Sequence, residues 1–512
     1  MVKNIALDGN NLTIQDLVRI ARARGGAKVS LAPSVTGRIE KARKVITDAL
    51  KNKKTVYGVT TGFGALAGVI LSKDQTRDLQ RNILLSHSAG VGRPFDEETT
   101  RAIMALRVNS LAKGFSGIRL ETLQTLVDMV NARVHPVIPE KGSVGASGDL
   151  APLAHMGLVL IGEGEAVYNN KRLPGAEAMK KAGIPLLQLE EGEGLAAING
   201  TQVMTALGAL IIHDSINLAK TADIAAGMTL EVLRGSHVEL DRRIHETRPH
   251  PGQSRCAENL RKIIAGSATT TSHMDFGRVQ DAYTIRCSPQ VHGASRDALN
   301  YAATVIETEI NSATDNPMVF YETDEILNGG NFHGQPVGLA ADFLAIALSE
   351  LANISERRIE RLVNPQLSGL PAFLIRNPGL NSGMMLAQYT AAALVSENKS
   401  LAHPATVDSI PTSANKEDHV SMGTIAVRKC KEILNNAEYV AAIELLCAAQ
   451  ALDLFTNLKP GAGTLAAYNI VRKHVSHMEV DRILSRDIEI LYGLVHGGRV
   501  VRAVEEKIGG LY

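Results

Sequence analysis

The sequence predicts a mainly α fold: a bundle of long helices with a smaller mixed part at the N-terminal end. Three observations predict it. After Gln202 the chain reads as long helical stretches at about 203–233, 256–265, 289–312, 336–363, 381–401 and 417–456, rich in Ala, Leu and Ile. Several exceed the usual globular length, and their heptad-like spacing suits packing against one another. In 336–363 the apolar series is Leu339, Phe343, Leu344, Ala347, Leu351 and Ile354. Second, the alternating strands and helices of a parallel α/β fold are missing. Third, Trp is absent and aromatics are 4% of 512 residues, so the core must be mainly aliphatic. We divide the chain into an N-terminal domain, 1–200, and a long-helix bundle with a C-terminal helical part, 201–512.

Taken in order, Asn4 to Leu7 reads as a short strand. Thr13 with Asp16 marks a helix start, and Ile14, Leu17, Val18 and Ala21 form its apolar face. Ile39, Ala42, Ile46 and Ala49 continue the helical spacing. A Gly-punctuated loop from Val56 to Gly64 then carries Tyr57. Its Gly62-Phe63-Gly64 is no dinucleotide fingerprint, because the third glycine, Gly68, falls one place late and no βαβ unit surrounds it. Ser72 and Gln75 form a capping box, and the helix behind it ends near Ser86-His87-Ser88, which puts His87 at a helix C-terminus. Helices are predicted over about 96–114 and 119–133. A Pro/Gly-rich loop, 135–148, leads into Gly142-Ser143-Val144-Gly145-Ala146-Ser147-Gly148-Asp149, with Asp149 expected to cap the helix opened by Leu150-Ala151-Pro152. Residues 169–193 read as a partly strand-rich excursion, and 192–200 as a loop carrying Asn199.

Composition excludes several functions. Lys and Arg number 54 against 53 Asp and Glu, and the short basic group Lys51 to Lys54 reads as a solvated helix end, so neither nucleic acid nor a membrane surface is expected as partner. Cys256, Cys287, Cys430 and Cys447 form no close metal-binding pair, which suits free thiols in a reducing cytoplasm. The N-terminal residues lack a signal-peptide core, and no apolar run approaches the ~20 residues of a membrane helix. The histidines are scattered without a His-Glu-x-x-His pair, so no metal is expected. Neither a Walker-type phosphate loop nor a Gly-x-Ser-x-Gly elbow is present.

The chemistry concentrates in Ala146-Ser147-Gly148. If the backbone nitrogen of Gly148 attacks the carbonyl carbon of Ala146, loss of water closes an imidazolone ring. Loss of a second water, from Ser147, leaves an exocyclic methylidene, a strong electrophile made from backbone. Gly148 has no Cβ to block the approach, Ala146 is small, and Ser147 carries a hydroxyl that can leave. Five further polar motifs interrupt the helices. They hold Tyr57; His87; Asn199; Val279 to Gln290, with Gln280, Tyr283 and Arg286; and Ser413 to Gly423, with Glu417. Asn328 to Gly334 is another Gly/Asn-rich loop, with Phe332. Singly, each has a plain structural explanation. His155 lies on the helix that follows Ser147, where a structural role is at least as expected as a chemical one.

The string from Gly142 to Ala154 resembles the signature of the aromatic amino-acid ammonia-lyases. So do the Tyr-Gly-Val-Thr-Thr-Gly-Phe-Gly loop, the Asn199-Gly200-Thr201-Gln202 loop, the Gln280 to Gln290 motif and Asn377 to Gly383, in order along nearly the whole chain. The resemblance implies a helix-bundle fold of the ammonia-lyase/fumarase-like type. It also implies a 4-methylidene-imidazol-5-one (MIO) group formed autocatalytically from Ala146-Ser147-Gly148 in the N-terminal domain, with no external cofactor. Within the family, Ser86-His87 and the run from Thr412 to Met422, with Glu417 where the phenylalanine- and tyrosine-acting enzymes generally have Gln, resemble the histidine-acting branch. Lys416, where that branch often has Gln, is a mild departure. The implied reaction is deamination of L-histidine to trans-urocanate and ammonia, in a homotetramer whose sites are shared between subunits.

The implied roles follow. Tyr57 is the base for the β-proton, its phenolate needing support from its surroundings. Arg286 grips the substrate carboxylate. Tyr283, Asn199 and Gln280 hold the amino group and the MIO oxygen. His87 faces the imidazole, which both donates and accepts hydrogen bonds; Glu417 faces the ring or the amino group, and Phe332 lines the site. The rivals are a relative with a different substrate (a tyrosine or phenylalanine ammonia-lyase, or an aromatic aminomutase), a fumarase-type lyase and a non-catalytic scaffold. His87 and Glu417 argue against the first. The missing Gly-Ser-Ser loop argues against the second, and the presence of Ser147 and Tyr57 against the third.

Overall fold

The computed structural model describes residues 3–22, 27–270, 280–455 and 459–512. Val279, at the head of its motif, and residue 456, at the end of the last long stretch, lie outside the described residues. The chain divides into two compact units. The first comprises Met1–His213, Ala303–Asp342 and Pro404–Arg428; the second comprises Asp214–Ala302, Phe343–His403 and Lys429–Tyr512. The first unit thus takes in 303–342 and 404–428 besides the N-terminal part.

In the first unit, strand Lys3–Leu7 pairs in parallel with Ala27–Leu31. Between them runs helix Ile14–Arg22, whose Thr13 Oγ1 accepts the Asp16 N–H at 3.1 Å and whose Ile14, Leu17, Val18 and Ala21 are buried as expected. The capping box of helix Lys73–His87 is present on both sides, and His87 is its last residue. Helix Glu97–Ala112 is buried along almost its whole length and starts on the Asp96 carboxylate, which accepts the Thr99 N–H at 2.7 Å. The excursion after Gly164 is a hairpin, Glu165–Tyr168 with Lys171–Pro174, and then a helix, Gly175–Ala182.

Residues 192–200 depart from the expected loop: Glu193–Ile198 is a short buried helix. Its cause is a tertiary partner. The fully buried Glu193 carboxylate accepts from Arg119 Nη2 and Thr122 Oγ1, each at 2.7 Å, and from the Glu190 N–H at 2.8 Å.

His135 is almost fully buried, with Arg101 Nη1 3.4 Å from its Nε2. Burial, reinforced by the Arg101 and Arg133 charges and opposed by Glu97, pushes its pKa from 6.5 down to about 4. The unfolded chain therefore binds this proton more tightly than the native one. The contribution is fully present above pH 6.5 and is lost as pH falls through about 4. The urea midpoint is expected to fall across that window by the equivalent of at most about 3 kcal/mol. The slope should flatten in His135→Gln; an unchanged slope in that variant would remove His135 as its source.

The long helices are Gln202–Val232, Ser288–Glu309, Gln335–Val363 and Gly423–Leu452, with Pro251–Ile263 and Met385–Leu401 shorter. By length and composition Gln335–Val363 is able to cross a membrane. However, 67% of its most apolar window is buried inside the protein, as in a core helix. The last long helix starts at Gly423 rather than near 417. Ser413, Ala414 and Asn415 all have positive φ, 50°, 52° and 66°, and Met422 has φ 53°. Left-handed non-glycine residues cost on the order of 1 kcal/mol each and persist only where surroundings impose them.

In the second unit Asp223, Cys256 and His292 bring three potential metal-binding atoms together, all buried. The Asp223 carboxylate is already engaged by His292 Nδ1 at 2.7 Å, Asn259 Nδ2 at 2.8 Å, Cys256 Sγ at 3.1 Å and the Arg296 guanidinium. Burial opposes its ionisation, but Arg296 and His292 hold its pKa at about 2. The cluster is a paired internal ion network, with Arg358 donating to His292 Nε2 at 3.2 Å.

Candidate active site

A cavity of about 420 Å³ opens in the first unit, lined by Tyr57, His87, Ser147, Asn199, Phe332 and Glu417. These six expected residues come from six separate segments. Phe63, Gly64, Ala65 and Leu66, Leu150, Leu195, Asn316, Ser413 and Ala414 complete the wall and were not singled out by sequence. Gln280, Tyr283 and Arg286 belong to the second unit and do not line this cavity. Tyr283 is 70% exposed, and the Arg286 guanidinium lies 4.6 Å from the centre of its ring.

The turn that carries Ser147 is pinned from two sides. Ala146 is buried against Val420 and Met422. The Met422 N–H donates to the Val144 carbonyl at 2.8 Å, and Ser421 Oγ to the Gly145 carbonyl at 2.8 Å. On the other side the Gly200 N–H donates to the Ser147 carbonyl at 3.2 Å, and the Asp149 N–H to the Gly200 carbonyl at 2.7 Å. Gly148 sits at φ +74°, and a Cβ built on it would lie 2.0 Å from the Gly200 carbonyl oxygen. Only glycine fits there. A small buried Ala146, an open Ser147 and a Cβ-free Gly148 fit the residues from which an MIO ring would form.

Asp149 does not cap its own helix, Leu150–Leu160. Its Oδ2 instead accepts the N–H groups of Val203 and Met204, at 3.0 and 2.9 Å, in the first turn of Gln202–Val232. Its Oδ1 takes Ser143 Oγ at 3.0 Å and the Thr424 hydroxyl. Burial raises its pKa against these bonds. The sequence neighbour was the wrong helix, because the buried carboxylate satisfies orphan N–H groups that only the fold brings beside it. Arg107, wholly buried with its pKa pushed down to about 10 by burial, fixes the next turn. It donates to the Asn199 carbonyl and to Gln202 Oε1, each at 2.6 Å, and to the Ala196 carbonyl. A charge set inside the apolar 102–112 stretch was its only sequence signal.

Around the cavity, Ser147 Oγ donates to Glu417 Oε1 at 3.2 Å and Thr412 Oγ1 donates to Glu417 Oε2 at 2.6 Å. Thr412 and Glu417 also pair through their backbones, which closes the left-handed turn between them. The Gly64 N–H donates to the Tyr57 hydroxyl oxygen at 3.0 Å. Burial raises the Tyr57 pKa above 10.0, the Gly64 bond opposes this, and Glu417 adds to it. His87 packs edge-on against Phe63, ring centroids 5.4 Å apart. Burial lowers the His87 pKa, against the Ile83 carbonyl and Glu417. Asn199 Nδ2 donates to Asp315 Oδ1 at 3.1 Å and to the Asn316 carbonyl at 3.0 Å, leaving Oδ1 buried without a hydrogen-bond partner. His155 Nε2 accepts the Gly90 N–H at 3.1 Å, a structural tie between the helix after Ser147 and the turn after His87.

The cavity thus combines a serine in a constrained Ala-Ser-Gly turn, a phenol, a carboxylate and an imidazole. No Lys or Arg lines it among the described residues. The family model for aromatic amino acid lyases matches residues 12–473. The histidine ammonia-lyase of Alkaliphilus oremlandii is 56% identical over 507 residues, 99% of each chain. A crystal structure of histidine ammonia-lyase from Trypanosoma cruzi superposes with TM-score 0.92 at 43% identity, covering 98% of this chain and 95% of that one. Tyrosine aminomutase from Streptomyces globisporus superposes with TM-score 0.95 at 38% identity over 100% of both chains. Backbone shape therefore does not separate the reactions of these relatives, but together with the match along the sequence it decides the family: the chain belongs to the aromatic amino acid lyases.

Proposed function

We propose that the protein is a histidine ammonia-lyase that converts L-histidine to trans-urocanate and ammonia through an MIO group made from Ala146, Ser147 and Gly148. The observation that carries this reading is the meeting of Ser147, His87 and Glu417 in one cavity. When formed, the methylidene supplies an electrophile that turns the substrate amine into a better leaving group. His87 and Glu417 hold the imidazole. A phenyl ring can hydrogen bond to neither of these polar groups, which disfavours phenylalanine. Tyr57 Oη takes the β-proton, and the Gly64 N–H steadies the phenolate that burial disfavours. Asn199 Oδ1, an acceptor without a partner, suits the N–H of the substrate amino group. It suits the MIO oxygen less, because both atoms only accept.

The substrate carboxylate finds no cation in the cavity wall among the described residues. Arg286, with Tyr283 and Gln280, is supplied by another copy of the chain, in a homotetramer with shared sites. Tyr301, Phe343, Ile346, Leu386 and Tyr389, 44–58% exposed along three helices of the second unit, are apolar surface that such an assembly would cover. Each of Ser147→Ala and Arg286→Ala is expected to inactivate the enzyme alone, and co-expression of the two to restore part of the activity. Strictly additive silence would sink the shared site. The four free cysteines fit a cytoplasmic enzyme.

The reading is tested by near-ultraviolet absorbance on incubation with L-histidine, L-tyrosine and L-phenylalanine separately. A rise with histidine is expected, because urocanate is conjugated and histidine is not. Product from tyrosine alone would favour the rival reading of a relative acting on another aromatic amino acid.

A further inference from the structure

Glu417 loses a partner as the enzyme matures. Its Oε1 accepts from Ser147 Oγ at 3.2 Å, and on the reading above that hydroxyl leaves when the ring forms. Its Oε2 is held by Thr412, which belongs to the same turn and moves with it. Among the described residues, two hydrogen bonds then remain that tie 412–419 to other segments of the unit. Ser413 Oγ accepts the Ala65 N–H at 3.2 Å, and the His419 carbonyl is 3.2 Å from His333 Nε2. His333 has its second bond to backbone as well: the Gln335 N–H donates to Nδ1 at 3.3 Å. A backbone N–H can only donate and a carbonyl oxygen can only accept, so Nδ1 carries the lone pair and Nε2 the proton. Gln335 opens helix Gln335–Val363, whose first N–H groups have no partner within the helix, and Nδ1 caps it. The imidazole also stacks on the His419 ring, with centroids 5.8 Å apart and planes 3° from parallel.

The segment around His333 is itself fixed to the Ala-Ser-Gly turn. The Gly334 N–H donates to the Gly145 carbonyl at 3.3 Å, and Ser421 Oγ reaches the same oxygen at 2.8 Å. Phe332, on the other side of His333 in sequence, lines the cavity, and His333 does not. We propose that His333 is a positioning residue for the reaction: it holds the Glu417 turn against the segment that carries Phe332, so that Glu417 keeps its place once the Ser147 hydroxyl has gone. This rests on the reading above, in which Ser147 becomes the methylidene and Glu417 meets the substrate. His333 touches neither, and acts through the His419 carbonyl, two residues beyond Glu417. Its two nitrogens have separate duties. Nδ1 serves the helix and Nε2 serves the site.

That separation supplies the test, made on the full-length enzyme with His333→Ala, His333→Asn and His333→Gln. The short Asn side chain can accept the Gln335 N–H but does not reach the His419 carbonyl. The Gln amide N–H reaches the place of Nε2 and leaves the cap unmade. His333→Ala is expected to lower kcat/KM for L-histidine by about 10–10²-fold. Gln should recover most of this loss. Asn should recover Tm while its kcat/KM stays near that of Ala. Parental activity in His333→Ala, or activity restored by Asn as fully as by Gln, overturns the proposal. If His333→Ala fails to fold, the comparison of Asn with Gln still decides, since each keeps one of the two bonds. In a Glu417→Gln background His333→Asn is expected to cost less than in the parent, because both changes act at one group; equal costs overturn the proposal. The mass of the peptide around Ser147 gives a readout apart from activity. Every variant should be two water molecules lighter than its sequence, and a variant that keeps them overturns the proposal, since His333 would then serve formation of the ring. Failure of the parent to turn over L-histidine overturns the reading of substrate instead, and the same variants are then compared on the aromatic amino acid that the parent accepts.

Discussion

Ser147→Ala is expected to abolish turnover, lowering kcat for L-histidine by at least about 10³-fold while the fold persists. The substitution removes one oxygen and keeps the Cβ. Its only hydrogen bond lost among the described residues is that from Oγ to Glu417 Oε1 at the cavity wall, an oxygen that the cavity can solvate. Surface-like changes of this kind shift stability by about 0.5 kcal/mol or less. The turn itself is held by backbone bonds from Gly200 and Met422 that the variant retains. Activity and stability should therefore separate, as they would not if Ser147 were structural. Mass spectrometry of the peptide around Ser147 gives an independent readout. The parent is expected to be lighter than its sequence by two water molecules, and Ser147→Ala cannot lose the second. A variant that retains parental turnover would end the proposal that Ser147 becomes the electrophile.

The second large effect is on substrate choice. His87→Leu with Glu417→Gln is expected to lower kcat/KM for L-histidine by about 10²–10⁴-fold. His87→Leu leaves a polar edge of the bound imidazole unpaired, and Glu417→Gln replaces a charged acceptor by a neutral one, at about 1–3 kcal/mol apiece. Turnover of L-phenylalanine should rise from its starting level, since Leu at position 87 packs against a phenyl ring where His87 presents a polar edge that the ring cannot pair. The remaining wall already suits it: Phe63, Leu66, Leu150, Leu195 and Phe332 are apolar. Because the two residues contact one ring, their effects are expected to be non-additive. If histidine is still preferred after both changes, discrimination lies elsewhere in the site.

Much of this protein was legible in the sequence because the signals are local. A capping box, an Asp before a helix or a heptad-like series of Leu and Ala acts within a turn or two of itself. Those elements stand where the spacing put them: Lys73–His87 behind Ser72, Glu97–Ala112 behind Asp96, and the long helices Gln202–Val232, Ser288–Glu309 and Gln335–Val363. The motif at Ala146-Ser147-Gly148 was equally plain, since its chemistry depends on three adjacent residues. Tertiary structure alone decided what depends on partners far along the chain. It made a helix of 193–198 by giving the buried Glu193 an Arg119 partner, and it delayed the last long helix to Gly423 by a left-handed turn that Glu417 and Thr412 close. It turned Asp149 from its own helix to the N–H groups of Val203 and Met204, and it placed Phe63 against His87. The physical reason is the same in each case. A buried charge, a strained turn or a ring face is satisfied by whichever group lies nearest in space, and sequence spacing carries no record of that neighbour.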